Sequence, residues 1–126
     1  MTAKRKGSGD RAFRTPCPVA SALDVFGDRW TLVVVRDLAL GKERYGEFLE
    51  SPEGIPTNIL ADRLKQLEEY EIIRKEPYQD RPVRYRYLLT DKGKELAPVL
   101  RAMAGWAHKY VPGTIDPNDI DAPGLK

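Results

Sequence analysis

The sequence predicts an α+β fold, mostly α, on three observations. First, Leu60, Leu64 and Leu67 recur at helical spacing between Thr57 and Glu69, so at about 100° per residue they form one narrow apolar stripe. Asn58, Ala61, Asp62 and Lys65 project from the opposite side. Second, two alternating runs, residues 72–78 and 83–89, follow at once and are joined by Gln79-Asp80-Arg81-Pro82, which reads as a hairpin rich in arginine. Third, Val19, Ala22, Leu23 and Phe26 before this unit, and Leu96, Val99, Leu100, Met103, Trp106, Ala107 and Tyr110 after it, repeat at helical spacing. A short helix with a thin polar face followed by such a hairpin is the pattern of a winged helix-turn-helix, here with extra N- and C-terminal helices.

Taken in order, residues 1–12 are polar, carry Lys4, Arg5 and Lys6, and are expected to be a disordered basic arm. Pro16-Cys17-Pro18 opens the first helix, because proline suits a first turn, and Gly27 ends it. Asp28 can cap a second helix in which Trp30, Leu32 to Val35, Leu38 and Leu40 are apolar nearly all round, and Gly41 terminates it. Tyr45-Gly46-Glu47-Phe48-Leu49 reads as a short third helix with Tyr45, Phe48 and Leu49 facing inward. Ser51-Pro52-Glu53-Gly54 is a turn, and Thr57 is the expected N-cap of the next helix. In the hairpin, Val83, Tyr85, Tyr87 and Leu89 alternate with Arg84 and Arg86, so one face can pack while the other presents guanidinium groups. Thr90 and Asp91 suit the start of the last helix, which Pro98 should kink or weaken. The domain is expected to span 13–110. The tail, 111–126, is dense in Pro, Gly and Asp and is expected to be irregular.

Composition bounds the function. A chain of 126 residues with 41% hydrophobic and 32% charged content suits one domain of the ordinary water-soluble kind. No apolar run is long enough to span a bilayer and the basic N-terminus lacks a signal-peptide core, so a cytoplasmic protein with no membrane partner is expected. One cysteine excludes an intrachain disulfide framework and a cysteine-cluster metal site. His108 is the only histidine, lies far along the chain from Cys17, and has no third group to orient it. With phosphate-cradling glycines and metal-ligand spacing also absent, neither catalysis nor a cofactor is expected. The net charge of +2 does not by itself argue for nucleic acid. Its placement does: acids gather between Glu43 and Glu76, while Arg81, Arg84 and Arg86 sit almost without competition.

Four stretches together resemble the HxlR-type transcriptional regulators, a bacterial winged-helix family related in fold to the MarR-like proteins. They are CPVASALDVFGDRWTLVVVRDLALG, GIPTNILADRLKQLEE, the strand pair through VRYRYLLTDKGKEL, and APVLRAMAGW, and the match as a whole covers roughly Cys17 to Tyr110. The resemblance implies a homodimer that binds an operator in double-stranded DNA and dimerises through the first and last helices. Val19, Leu23, Leu96, Leu100, Met103, Trp106 and Tyr110 would then be interface residues. Some members sense electrophiles or oxidants with a cysteine just before the first helix, the position of Cys17. Two departures stand out: Ala20 replaces a common glutamate, and Tyr70-Glu71 replaces a turn that usually contains glycine, where a left-handed residue would be strained.

The candidate DNA contacts follow from side-chain chemistry. Asn58 can bond adenine in bidentate fashion, Lys65 can reach guanine or phosphate, and Thr57 and Asn58 lie at a helix N-terminus that favours phosphate. Asp62 would repel phosphate and should face a cytosine amine or the open groove, with Ala61 beside it. Arg81 and Arg84 suit phosphate contact or a narrow minor groove, and Arg86 lies nearer the body of the domain. The alternative for these arginines is a charged strand face paired to acids such as Glu76. Arg63 is as readily a structural ion-pairing residue as a phosphate clamp, and Lys42 and Arg44 are candidate backbone contacts. Cys17 sits at a helix start that lowers a thiol pKa, with Arg14 as a further expected influence, or it merely fills space at a dimer seam. Trp106 and Tyr110 can line a small-molecule effector cavity between subunits or form plain interface core. The reading from another class is a winged-helix protein-interaction module that does not bind DNA.

Overall fold

Chain-breaking and capping residues set the element boundaries. The structure is a computed structural model and describes residues 13–120. The expected basic arm at 1–12 therefore lies outside the described residues, as does the end of the tail. The elements are α1 (Pro18–Phe26), α2 (Thr31–Ala39), α3 (Tyr45–Leu49), α4 (Thr57–Glu69), β1 (Ile73–Asp80), β2 (Val83–Leu89), α5 (Asp91–Lys94), α6 (Ala97–Tyr110) and a 3₁₀ turn at Pro117–Asp119. The two strands pair antiparallel. This is a mostly helical winged helix-turn-helix, as the sequence predicts.

The stripe on α4 organises the core. Leu60, Leu64 and Leu67 are 0%, 3% and 1% exposed and pack with Val34, Val35 and Leu38 of α2, Phe48 of α3, and Ile72 and Ile73 at the start of the hairpin. Burying one such side chain contributes about 1.5–3 kcal/mol. That burial fixes the rotation of α4 and turns its polar side outward. The ring of Phe48 meets Tyr87 edge-on, with centroids 6.3 Å apart, so the hairpin shares the same core. The backbone N–H of Tyr87 donates to the Glu43 carbonyl at 2.7 Å, and Arg44 bridges Arg86, which docks the hairpin on the loop before α3.

A polar network holds the turn ahead of α4. Asp37 is 2% exposed. It accepts from Ser51 Oγ at 2.5 Å and from Arg36 Nη2 at 2.9 Å, and the same guanidinium forks onto Glu53 at 2.6 and 2.8 Å. A buried carboxylate is tolerated only when so bonded, and here its partners link α2 to residues 51–54. The hydrogen bonds from Arg36 outweigh the cost of burial and pull the Glu53 carboxyl down to about 2. Gly54 completes the turn at φ +70.

Several local expectations are corrected. Pro56 is the N-cap of α4 and no side chain caps it; Thr57 is already its first helical residue. The first strand runs on to Asp80, so the hairpin tip is Arg81-Pro82 and not four residues wide. Val83 and Tyr85 are 54% and 38% exposed, so only the Tyr87 and Leu89 end of that strand face packs. The last helix is broken in two: Thr90 caps α5 by accepting from the Gly93 N–H, and α6 restarts with Pro98 in its first turn, where its missing N–H costs nothing. Gly93 is needed there, because a Cβ would lie 2.1 Å from the Ile72 carbonyl oxygen.

The turn after α4 keeps a left-handed residue although no glycine is there to take it, so the local difference expected at Tyr70-Glu71 does not arise. Glu71 takes φ 60, the left-handed region, and the Thr90 hydroxyl holds its carbonyl at 2.6 Å. A side chain there costs roughly 1–2 kcal/mol against the right-handed region, part of which glycine gives back through the unfolded chain. Glu71→Gly is expected to raise stability by about 1 kcal/mol in urea unfolding followed by circular dichroism, and an unchanged or lower midpoint would show that the strain is relieved elsewhere.

Candidate nucleic-acid interface

On α4, Thr57, Asn58, Ala61, Asp62 and Lys65 are all exposed. The helix is tied down at two points that leave this face open. The Tyr45 hydroxyl donates to the Thr57 carbonyl at 2.6 Å, anchoring the first turn to α3. Arg63 donates through Nε to Asp28 at 2.5 Å and through Nη1 to Asp62. Arg63 is thus the structural ion-pairing residue and not a free phosphate clamp, and it also offsets the charge of Asp62. Burial acts to raise the Asp28 carboxyl, but hydrogen bonds from Thr31, Arg63 and Trp30 outweigh it and hold the group below the usual carboxylate range.

The wing divides its arginines. Arg81 and Arg84 are exposed and, among the described residues, make no side-chain ion pair or hydrogen bond. Arg86 instead donates to Glu76 at 2.7 Å, and Arg74 reaches the other carboxylate oxygen at 2.5 Å. Those two guanidinium groups, Arg74 first, hold the Glu76 carboxyl below its ordinary value, so it stays charged and competes with phosphate. Lys42 donates to Ser51 Oγ at 2.6 Å and belongs to the network under the turn, not to an open surface. Arg44 lies over the Tyr78 ring, 4.6 Å from its centroid.

Two adjoining clefts place these groups on one side. A cleft of about 540 Å³ between α3 and the hairpin includes Arg44, Tyr45, Tyr78, Arg84 and Tyr87 in its walls. A second, of about 330 Å³, has Tyr45 and Tyr87 in common with it and adds Ala61, Lys65 and Lys75. Ala61 and Lys65 of α4 therefore share a surface with Arg84 of the wing and with Arg44 ahead of α3. Tyr45 and Tyr78 are functional candidates that sequence reasoning missed. Tyr45 is visible in the sequence only as an inward residue of a short helix, and Tyr78 only as a member of an alternating run.

The comparison with known proteins decides what this surface belongs to. The model of the HxlR-like helix-turn-helix family matches residues 25–114. The chain belongs to that family. It is a transcriptional regulator of the HxlR/MarR type with a DNA-binding helix-turn-helix. It is 38% identical over 104 residues to the HTH-type transcriptional regulator sll1512 of Synechocystis sp. (strain ATCC 27184 / PCC 6803 / Kazusa), covering 81% of this chain and 77% of that one. The crystal structure of PA1607 superposes with a TM-score of 0.72 at 40% identity, covering 82% of this chain and 72% of that one. The redox regulator HypR in its reduced form gives 0.67 at 32%, covering 73% of this chain and 91% of its own. The relatives are named as regulators and not as enzymes. No helix among the described residues of this HxlR-type chain is long and apolar enough to cross a membrane.

Cys17 is exposed and heads α1. The backbone N–H groups of Ala20 and Val19 hold its thiol pKa below the ordinary value. The expected help from Arg14 is corrected, since that guanidinium pairs with Asp24 at 2.6 Å. Of the expected interface residues, Val19, Leu23, Met103, Trp106 and Tyr110 stand 51–68% exposed, while Leu96 and Leu100 lean on the regulator's own core. The Trp106 and Tyr110 rings touch each other, 5.5 Å apart.

The pairing of Glu76 generates a prediction for this interface. Glu76→Gln removes the carboxylate that holds Arg86 and Arg74 while keeping the hairpin's shape. Affinity for a mixed-sequence DNA duplex is expected to rise, and the slope of log K against log salt to steepen by up to about 1 per guanidinium released. Fluorescence anisotropy across a salt series measures both; an unchanged slope would mean that the two arginines face away from the duplex.

Proposed function

We propose that this regulator works in the cytoplasm as a homodimer on an operator with inverted half-sites. Residues 13–110 supply both DNA binding and dimerisation. The reading is carried by Arg84, unpaired and in a cleft that adjoins the one bordered by Ala61 and Lys65 of α4; Arg81, also unpaired, lies on the same hairpin. Half to two-thirds of protein–DNA hydrogen bonds go to the backbone, and unpaired arginines are suited to supply them. Asn58 offers adenine two hydrogen bonds, Lys65 offers guanine or phosphate one, and the first N–H groups of α4 favour a phosphate beside Thr57. Asp62 gives one carboxylate oxygen to Arg63 and keeps the other for a cytosine amine.

The dimer is supported by Val19 and Leu23 on α1 and Met103, Trp106 and Tyr110 on α6, large apolar side chains each more than half exposed in the single chain. A twofold pair places half-site centres about one helical turn apart, roughly 34–36 Å. The redox reading rests on Cys17 and on the likeness to HypR, which is named a redox regulator. An exposed thiol with a lowered pKa reacts readily, and with one cysteine per chain the switch would be a disulfide between subunits or an adduct with a small thiol.

A gel shift with the DNA upstream of the regulator's own gene tests the reading directly. Binding in the range of about 10⁻⁸–10⁻¹¹ M that falls steeply with salt supports it. Absent binding would favour the protein-interaction module instead. On that operator, Arg84→Ala is expected to weaken all sequences alike and to lower the salt slope by about 1, whereas Asn58→Ala relaxes base preference; matching changes in both variants would reject this division of labour. After diamide treatment the parent is expected to lose or alter operator binding while Cys17→Ser does not, and equal responses in the gel shift would remove the thiol from the mechanism.

A further inference from the structure

The strand register contains one irregularity. Pro77 pairs with Tyr85 and Gln79 pairs with Arg84, so Tyr78 is an extra residue with no partner across the hairpin. An inserted residue of this kind bends its strand and re-aims a side chain. Here the side chain that it places is an aromatic ring under the Arg44 guanidinium, 4.6 Å from ring centroid to guanidinium carbon. Arg44 stands at the N-cap of α3, and its backbone is fixed by the bridge to Arg86. Its guanidinium makes no salt bridge or hydrogen bond to a carboxylate among the described residues, although its charge and that of Glu47 attract at longer range. Glu47, three residues on, turns its carboxylate back onto the N–H groups of Glu43 and Arg44, at 3.1 and 2.9 Å. A cation held by a ring and not by an acid keeps its hydrogen-bond donors available.

We infer that Tyr78 is a positioning residue for DNA binding: its ring holds the Arg44 guanidinium at the rim of the cleft shared with Arg84, so that both meet the duplex backbone. This inference rests on the DNA-binding reading of the surface. The bulge is the device that brings it about, since without the extra residue the alternation of β1 would put a different side chain at this place. The ring is 39% exposed, so it is not required by the core.

The test is a double-variant cycle on the full chain, read by anisotropy with a fluorescein-labelled mixed-sequence DNA duplex over a salt series. Arg44→Ala is expected to lower the salt slope by about 0.9, the value for one phosphate contact. Tyr78→Ala should weaken binding about two- to fivefold, the worth of an exposed cation–π contact. The two changes together should cost no more than Arg44→Ala alone. Tyr78→Phe should bind like the parent, and Tyr78→Leu, which keeps apolar bulk without a π face, should bind like Tyr78→Ala. That last pair serves where the alanine variant disturbs the hairpin. Additive losses overturn the inference, as does parent-like binding by Tyr78→Leu. A loss in Tyr78→Phe also overturns it, because the hydroxyl would then be touching DNA directly. If the parent shows no salt-steep binding, the DNA reading falls and this inference with it; if the parent binds steeply and only the coupling is missing, this inference falls alone.

Discussion

The packing of one face of α4 is the constraint from which the rest of the structure follows. Leu60, Leu64 and Leu67 have no exposed alternative, since turning the helix by one residue would bring Asn58 or Lys65 into the core and strand a polar group there. With the inner face fixed, the outer face is fixed as well. The Tyr45 hydroxyl and the Arg63–Asp28 pair then set the remaining freedom, the slide and tilt of the helix against α3 and the α1–α2 loop. Neither contact is worth much to stability, because both are partly exposed. Their value is geometric: base readout demands a helix held within a fraction of an ångström.

Charge on this surface is sorted by pairing and not by number. The hairpin has arginines at positions 74, 81, 84 and 86, yet Glu76 occupies two of them. The pair left open, Arg81 and Arg84, lies toward the tip. Lys42 and Arg63 are likewise spent inside the fold, one on Ser51 and the other on Asp28 and Asp62. An overall charge of +2 hides all of this. The relevant quantity is the set of cations whose donors remain free after the acids of the same chain have been served.

That sorting also explains which features were legible in the sequence. The helices, the hairpin and the inward leucines announce themselves through spacing, because burial imposes the periods of 3.6 and 2. The strain at Glu71 was legible too, since a turn that wants glycine and lacks it must pay somewhere. The partners of Arg63, Lys42 and Arg14 were not. Asp28 lies 35 residues from Arg63, and Asp24 lies 10 from Arg14. Such pairs depend on how whole elements pack, and no local pattern encodes them. Tyr78 was hidden for a different reason: a bulge shifts the alternation by one, so a residue that reads as part of a strand face is re-aimed by a local irregularity.

The exposed stripe and the thiol meet on the same helix. Cys17 heads α1, whose Val19 and Leu23 are the apolar residues left uncovered, and α1 runs directly into the loop that holds Asp28. Asp28 in turn is bonded to Arg63 on α4. In a twofold dimer, α1 would therefore be the one element that touches the partner subunit, the reactive sulfur and, through a single ion pair, the recognition helix. A covalent change at Cys17 need not reach the DNA surface through the core. In the proposed dimer it would have only to alter how α1 seats on its partner, because that seating would set the distance between the two α4 helices. The tight, largely apolar packing of α4 holds that helix firmly within its own chain, and in the proposed dimer such firmness would let a small adjustment between the halves register on the duplex.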